Sequence, residues 1–326
     1  MSDAGHAHST KHIWQSMAVN AVIAIAKFIA AFISGSGAML AEAIHSFADC
    51  GNQLLLLRGV TLARLPPDEK YPLGYGRNVY FWSFMVALLL FSGGGVFSIY
   101  EGIHHWVHPE PVQSVTLALV ILGFSLVLEG WATLGNVREL NRRRGTVGFV
   151  AFLRQTKDSD LVVVFGENAA AVLGLLLAVV AITVTKLTGD LRFDALGSLL
   201  VGFVLVGVAV FLAVEVKSLL VGEAADPRIK AAAEGLAVQH PSIDKVLSCV
   251  TIQQGPGEVL VALKIKIERN VNVEQLIGAI NEFEDRLRER CPEVQWLYVE
   301  PDFHEGRGRE TQTRVRSDHN EPSTAS

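Results

Sequence analysis

Apolar residues along this chain gather into six runs, each about the ~20 residues that a helix needs to cross a bilayer. They cover roughly Ile13–Ile33, Ala38–Leu57, Val79–Ile99, Val115–Gly135, Leu161–Thr185 and Leu196–Val216. The first is interrupted by Asn20 and Lys27, and Gly35-Ser-Gly37 turns the chain into the second. Arg58–Asn78 is a polar connection with Pro66-Pro67 in it. The third run holds Gly93-Gly-Gly95, which permits close helix approach or a kink. Glu101–Pro111 reads as a short loop carrying His104, His105 and His108, and an Arg-rich segment from Arg138 to Lys157 follows the fourth run.

Beyond Gly222 the pattern is that of a water-exposed domain. Asp226-Pro227 opens a helix to about Gln239. Val246–Ile252 and Val259–Ile267 read as strands joined at Gln254-Gly-Pro-Gly257, the second ending in apolar/charged alternation. Val273–Arg290 is amphipathic, with Leu276, Ile277, Ile280, Phe283 and Leu287 on one face, and Val294–Val299 is a last strand. The predicted fold is an α-helical membrane protein: six transmembrane helices, then a small cytoplasmic α+β domain of αββαβ, ferredoxin-like order. The expected organisation is a His-containing tail over 1–12 (His6, His8, His12), a membrane domain over 13–217, an αββαβ domain over 222–304 and a disordered tail over 305–326.

Composition agrees. Half of the 326 residues are hydrophobic, 19% are charged, and the formal net charge of −5 gives no case for nucleic acid as a partner. Mean hydropathy is +0.34. Cys50, Cys249 and Cys291 lack CxxC spacing, so neither a disulfide framework nor a thiolate zinc site is expected. The N-terminus lacks the order of a cleaved signal peptide, so the first apolar run is expected to be retained. Lys and Arg concentrate in the second–third and fourth–fifth connections, which places those loops and both termini in the cytoplasm.

The chemistry lies in the second run. Glu42, His45 and Asp49 share one helical face, continued by Asn52 and Gln53. Ionisable groups at membrane depth are costly and mark ion or proton pathways. His45 and Asp49, one turn apart, can converge on one cation, and imidazole with carboxylate suits zinc or another first-row transition metal. Lys27 is expected to pair with a carboxylate such as Glu129. The chain has no nucleophile–base constellation, so an enzyme is not expected.

These features resemble the cation diffusion facilitators, most of all the branch that includes the mitochondrial zinc transporter. The residues that carry the likeness are Glu42-Ala-Ile-His45-Ser-Phe-Ala-Asp49, Tyr71-Pro-Leu-Gly-Tyr-Gly-Arg77, Glu101-Gly-Ile-His104, Pro109-Glu-Pro111, Leu128-Glu-Gly130, Glu167-Asn-Ala-Ala-Ala-Val-Leu-Gly174 and Asp194-Ala-Leu-Gly-Ser198. The resemblance implies a homodimer of six-helix protomers. Divalent metal leaves the cytoplasm against protons, with the metal as cargo and no resident cofactor. It also implies a site between the second and fifth helices, with His45 and Asp49 on its second-helix positions. On the fifth helix the family's ligand pair falls at Val164 and Asn168, neither of them anionic or imidazole. Glu167, about 100° around the helix from Asn168, is the expected substitute; Asn168 offers a carbonyl oxygen, and Glu42 or Glu129 is expected to complete the shell. The αββαβ domain, with His240 and His304 its only histidines, is expected to serve mainly as a dimerisation module. Export of Mn²⁺, Fe²⁺ or Co²⁺, or a non-transporting membrane scaffold with a degenerate site, are the alternative readings.

Overall fold

The computed structural model describes residues 20–109, 111–112, 114–268 and 271–302. The expectations for the histidine-bearing tail, the start of the first span, His304 and the segment 305–326 fall outside the described residues. The chain divides into two compact units, one holding the residues up to Pro66 together with Arg77–Leu220, the other holding Pro67–Gly76 together with the chain from Val221 onward.

The first unit is helical. Helix α1 is described over Asn20–Ser34. Gly35 takes a left-handed φ of +63°, and Ser36 Oγ accepts from Met39 N at 3.1 Å, capping the 27-residue helix α2, Gly37–Ala63. Helix α3 spans Asn78–Val107, α4 Val115–Arg144, the short α5 Phe149–Gln155, α6 Ser159–Thr188 and α7 Arg192–Val221. Among the described residues, four stretches are long and apolar enough to cross a membrane, namely Asn78–Val107, Val115–Arg144, Leu161–Thr188 and Arg192–Val221. Helix α2 is of similar length but carries the polar stripe. Apolar side chains such as Phe32, Val127, Trp131 and Phe203 point outward, as lipid-facing residues do.

The triple glycine lies in an irregular turn and allows a close helix approach. Leu90–Val96 forms a π-helical turn within α3, and Gly95 and Gly102 let α3 meet α7 backbone to backbone. A Cβ at Gly202 would lie 2.8 Å from Ile99 N, and one at Gly102 would lie 2.7 Å from Leu199 N.

Two connections are shorter than expected. Glu101–Val107 is helical, so His104 and His105 belong to α3 rather than to a loop. The reason is that Pro109 is the first breaker, and the residue before it, His108, leaves the helix with φ −122° and ψ 76°. The Arg-rich stretch is likewise helical as far as Arg144, where Gly145, at φ +57°, ends it.

In the second unit, α8 (Pro227–Gln239), β1 (Ile243–Gly255), β2 (Glu258–Ile267), α9 (Val273–Arg290) and β3 (Val294–Asp302) follow in the α-β-β-α-β order. β1 pairs antiparallel with β2, and β3 pairs parallel with it, in the order β1-β2-β3. One face of the sheet, with Val259, Val261, Leu263 and Ile265, packs on Ile229 and Ala233 of α8 and Phe283 and Leu287 of α9. Ile277 does not join that core; it is exposed, and Ala279 is buried instead. The opposite face of the sheet leaves Val250 and Tyr298 exposed.

The Pro67–Gly76 strap packs onto this second unit. Gly255 and Gly76 come so close that a Cβ on Gly255 would lie 2.8 Å from Gly76 Cα, and one on Gly76 would meet the Glu258 carboxylate. Within the strap, Tyr75 Oη donates to Asp68 Oδ2 at 2.6 Å and Tyr71 N donates to Asp68 Oδ1 at 2.7 Å.

Candidate metal centre

Helix α2 aims its stripe inward. Glu42, His45 and Asn52 are fully buried, and His45 Nε2 lies 3.6 Å from Asp49 Oδ2, too far for a hydrogen bond. Among the described residues, Glu42 Oε1, both ring nitrogens of His45, Asp49 Oδ1, Asn52 Oδ1 and Gln53 Oε1 are buried without a hydrogen-bond partner. Leaving such atoms unpaired in a low-dielectric interior costs about 1–3 kcal/mol each. A cation is one partner that the unpaired His45 ring nitrogen and Asp49 carboxylate oxygen could share.

Helix α6 faces this stripe through Glu167. Asn52 Nδ2 donates to Glu167 Oε1 at 2.5 Å. Asn168 is turned another way: its side chain is half-buried and its backbone carbonyl accepts from Thr133 Oγ1 of α4 at 3.3 Å. Glu129, also on α4, is half-buried and within electrostatic reach of Asp49 and His45. The structure thus sets Glu167 of α6 against Asn52, one turn of α2 beyond Asp49, with the Asn168 backbone carbonyl on the Thr133 side. In this arrangement no three His, Cys, Asp or Glu side chains among the described residues converge tightly enough to hold one ion. Closing a shell needs side-chain rotation between α2 and α6.

Glu42 lies at the far end of the stripe, engaged elsewhere. Its Oε2 is 3.3 Å from Lys27 Nζ, and the same ammonium donates to Ser46 Oγ at 2.7 Å. Lys27 is fully buried. Its carboxylate partner is Glu42 rather than the Glu129 expected from the sequence, because α1 packs its lysine directly on α2. The space for Glu42 exists because position 174 on α6 is glycine; a Cβ there would collide with Glu42 Oε1.

Sequence reasoning missed Asp194. From α7 its carboxylate accepts from Ser36 Oγ at 2.5 Å and from Gly37 N at 2.7 Å, fastening the start of α2. It opens the Asp194-Ala-Leu-Gly-Ser198 stretch that carries part of the family likeness, but nothing in the sequence ties it to the start of α2. The histidines at the end of α3 pack against neighbouring side chains. His105 pairs with Glu101 at 3.0 Å and packs on Gly37, where a Cβ would lie 3.2 Å from its ring; His104 stacks on Tyr100 at 6.3 Å between ring centres.

Comparison with known proteins bears on this geometry. The human mitochondrial proton-coupled zinc antiporter SLC30A9 is 31% identical over 263 residues, which is 80% of this chain and 46% of that protein. Metal tolerance protein C4 of Arabidopsis thaliana is 28% identical over 272 residues, 83% of this chain and 59% of that protein. The magnetosome protein MamM of Paramagnetospirillum magneticum is 32% identical over 122 residues, 35% of this chain and 37% of that protein. The chain spans about half the length of the curated relatives it matches first. The model of the cation efflux transmembrane domain matches residues 13–221, a span that takes in the α2 stripe, Glu167 on α6 and Lys27, the buried partner of Glu42. With that match over the helices that build the site, this chain belongs to the cation efflux family of metal transporters.

Proposed function

We propose that this chain is a proton-coupled antiporter that exports a divalent transition-metal cation, zinc first among them, by alternating access. The observation that supports it is the set of buried, unpartnered acceptors on α2 facing Glu167 of α6. In this reading α1 and α2 also cross the membrane, making six spans, and the termini lie in the cytoplasm. The membrane is a bacterial cytoplasmic membrane, and the αββαβ domain pairs two copies into a homodimer through its uncovered sheet face.

His45, Asp49 and Glu167 are the proposed metal ligands, with Asn52 holding Glu167 in place and Glu129 in reserve. Asn168 contributes at most its amide oxygen after a rotation of α6. Imidazole and carboxylate bind metal only when deprotonated, so protons arriving from the far side compete with the ion and release it. Histidine titrates near neutral pH, which makes His45 the natural point of exchange. The cargo is the only metal that the scheme requires.

The test is Zn²⁺ flux into proteoliposomes under an imposed pH gradient. Wild type is expected to carry zinc, and Asp49→Ala and Glu167→Ala are each expected to lose at least about tenfold of that flux. Normal transport by either variant would remove that residue from the scheme. Flux of Mn²⁺, Fe²⁺ or Co²⁺ in preference to zinc would favour the alternative cargo. The absence of three converged ligands also fits a non-transporting scaffold, whose signature is no flux for any of these ions in wild type.

A further inference from the structure

Lys27 is a full positive charge sealed in the helical unit, and nothing in the scheme above uses it. It does not snorkel: it is completely buried, and its partners, Glu42 at 3.3 Å and Ser46 at 2.7 Å, both lie on α2, the ligand-bearing helix. Its charge also reaches His45, Asp49 and Glu129. Glu42 is held from two sides. One carboxylate oxygen meets the ammonium, and the other is seated where Gly174 leaves room for it. One turn along, His45 has no partner on either nitrogen. The stripe that looks continuous along the sequence is therefore divided into a carboxylate already neutralised by a resident cation and a His–Asp pair that is not.

We propose that Lys27 is a specificity-determining and positioning residue of the transport site, a built-in counter-cation that keeps the Glu42 carboxylate out of the metal's ligand shell. The inference rests on the transporter reading. His45, Asp49 and Glu167 supply two negative charges, which balance a divalent ion; Glu42 as a third carboxylate would overcompensate it. Conduction through a site requires binding strong enough to load and weak enough to release. Lys27 sets that limit by occupying Glu42. Removing the ammonium frees a carboxylate beside the bound ion, and the site then holds its cargo too tightly.

The experiment compares wild type, Lys27→Arg, Lys27→Met and Lys27→Met/Glu42→Gln, all full-length. It measures Zn²⁺ affinity in detergent by competition with a chromophoric chelator, and KM and maximal flux in proteoliposomes. Lys27→Met is expected to bind Zn²⁺ about tenfold tighter or more, with KM and maximal flux falling together because release becomes limiting. Lys27→Arg retains the charge and is expected to restore both toward wild type. The double variant has no carboxylate to recruit, so the gain in affinity is expected to vanish. A lysine that only fastens α1 to α2 predicts lower thermal stability in Lys27→Met with affinity and KM unchanged, and that result overturns the proposal. Should Lys27→Met alone not fold, the double variant is compared with Glu42→Gln. Equal affinities support action through Glu42, whereas a tighter double variant shows that Lys27 acts on the ion directly and overturns it. Wild type that neither binds nor carries Zn²⁺ is a failure of the transporter reading itself, recognisable before any variant is made.

Discussion

Glu167 and Asn168 are neighbours in the chain, yet they look in different directions, and that separation decides which side chain can meet His45 and Asp49. Asn52 is what holds Glu167 on the α2 side. Removing it, in Asn52→Leu, strands a buried carboxylate. Polar contacts between membrane helices are worth about 0.6 kcal/mol on average and about 1.7 at most, so the expected cost is within that range, read as a lower midpoint in detergent unfolding. The larger effect is expected in zinc affinity, about tenfold weaker. The spacing of Glu42, His45 and Asp49 made the stripe readable from the sequence, because all three ride on one helix. Glu167 on α6 was named only through the family likeness and its helical step from Asn168, since the rotation of one helix against another leaves no trace in the spacing of either. The same limit hid the partner of Lys27, expected to be a carboxylate such as Glu129; only the packing of α1 on α2 selects Glu42.

Helices α3 and α7 show how far small residues carry a packing arrangement. With Gly202 against Ile99 N and Gly102 against Leu199 N, any side chain at either position must push backbone rather than deform a flexible tip. Gly202→Val is expected to destabilise the helical unit by about 1–3 kcal/mol, measured as a drop in thermal midpoint, whereas Gly207→Ala, with open space around it, is expected to leave the midpoint in place. Asp194 acts at a different joint. Asp194→Ala removes the acceptor for Ser36 Oγ and Gly37 N, a helix-start contact worth about 0.5–2 kcal/mol, and is expected to loosen the start of α2, seen as faster amide exchange at Gly37–Met39. The long helices α2, α3, α4, α6 and α7 were legible in the apolar runs, and so was the αββαβ order with its Val273–Arg290 helix, whereas the short α5 lay in a stretch read only as a basic connection. Helix ends were not, because the runs stop where polar residues begin, while the backbone continues to the nearest breaker, Pro109 or Gly145.

The division of the molecule was the least legible feature. Residues Pro67–Gly76 lie between α2 and α3 in the chain but fold with the αββαβ domain. No hydropathy pattern announces this, for the strap is polar and short. Its closure rests on Gly76 against Gly255 and on the Asp68–Tyr75 contact. That hydrogen bond pushes the Tyr75 phenol up to about 12 from its ordinary 10.0. It also holds the Asp68 carboxyl below its usual 3.8, with the Tyr71 N–H adding to the effect. A depressed carboxyl stabilises the strap above its unfolded value and loses that contribution as pH falls through the lowered one, while the raised phenol loses its contribution as pH rises from 10.0 toward about 12, so the closure is expected to be intact at neutral pH and to weaken below about pH 4 and again above about pH 10. In Asp68→Asn the tyrosinate signal assigned by difference against Tyr75→Phe is expected to move back toward pH 10. The domain also crosses to the helical unit at three places in the chain, after Pro66, after Gly76 and after Leu220, rather than at one. It is therefore not a detachable cassette. A chimaera spliced at residue 221 would join a strap from one parent to a sheet from another, and grafting this domain onto a relative is expected to succeed only when residues 67–76 travel with it.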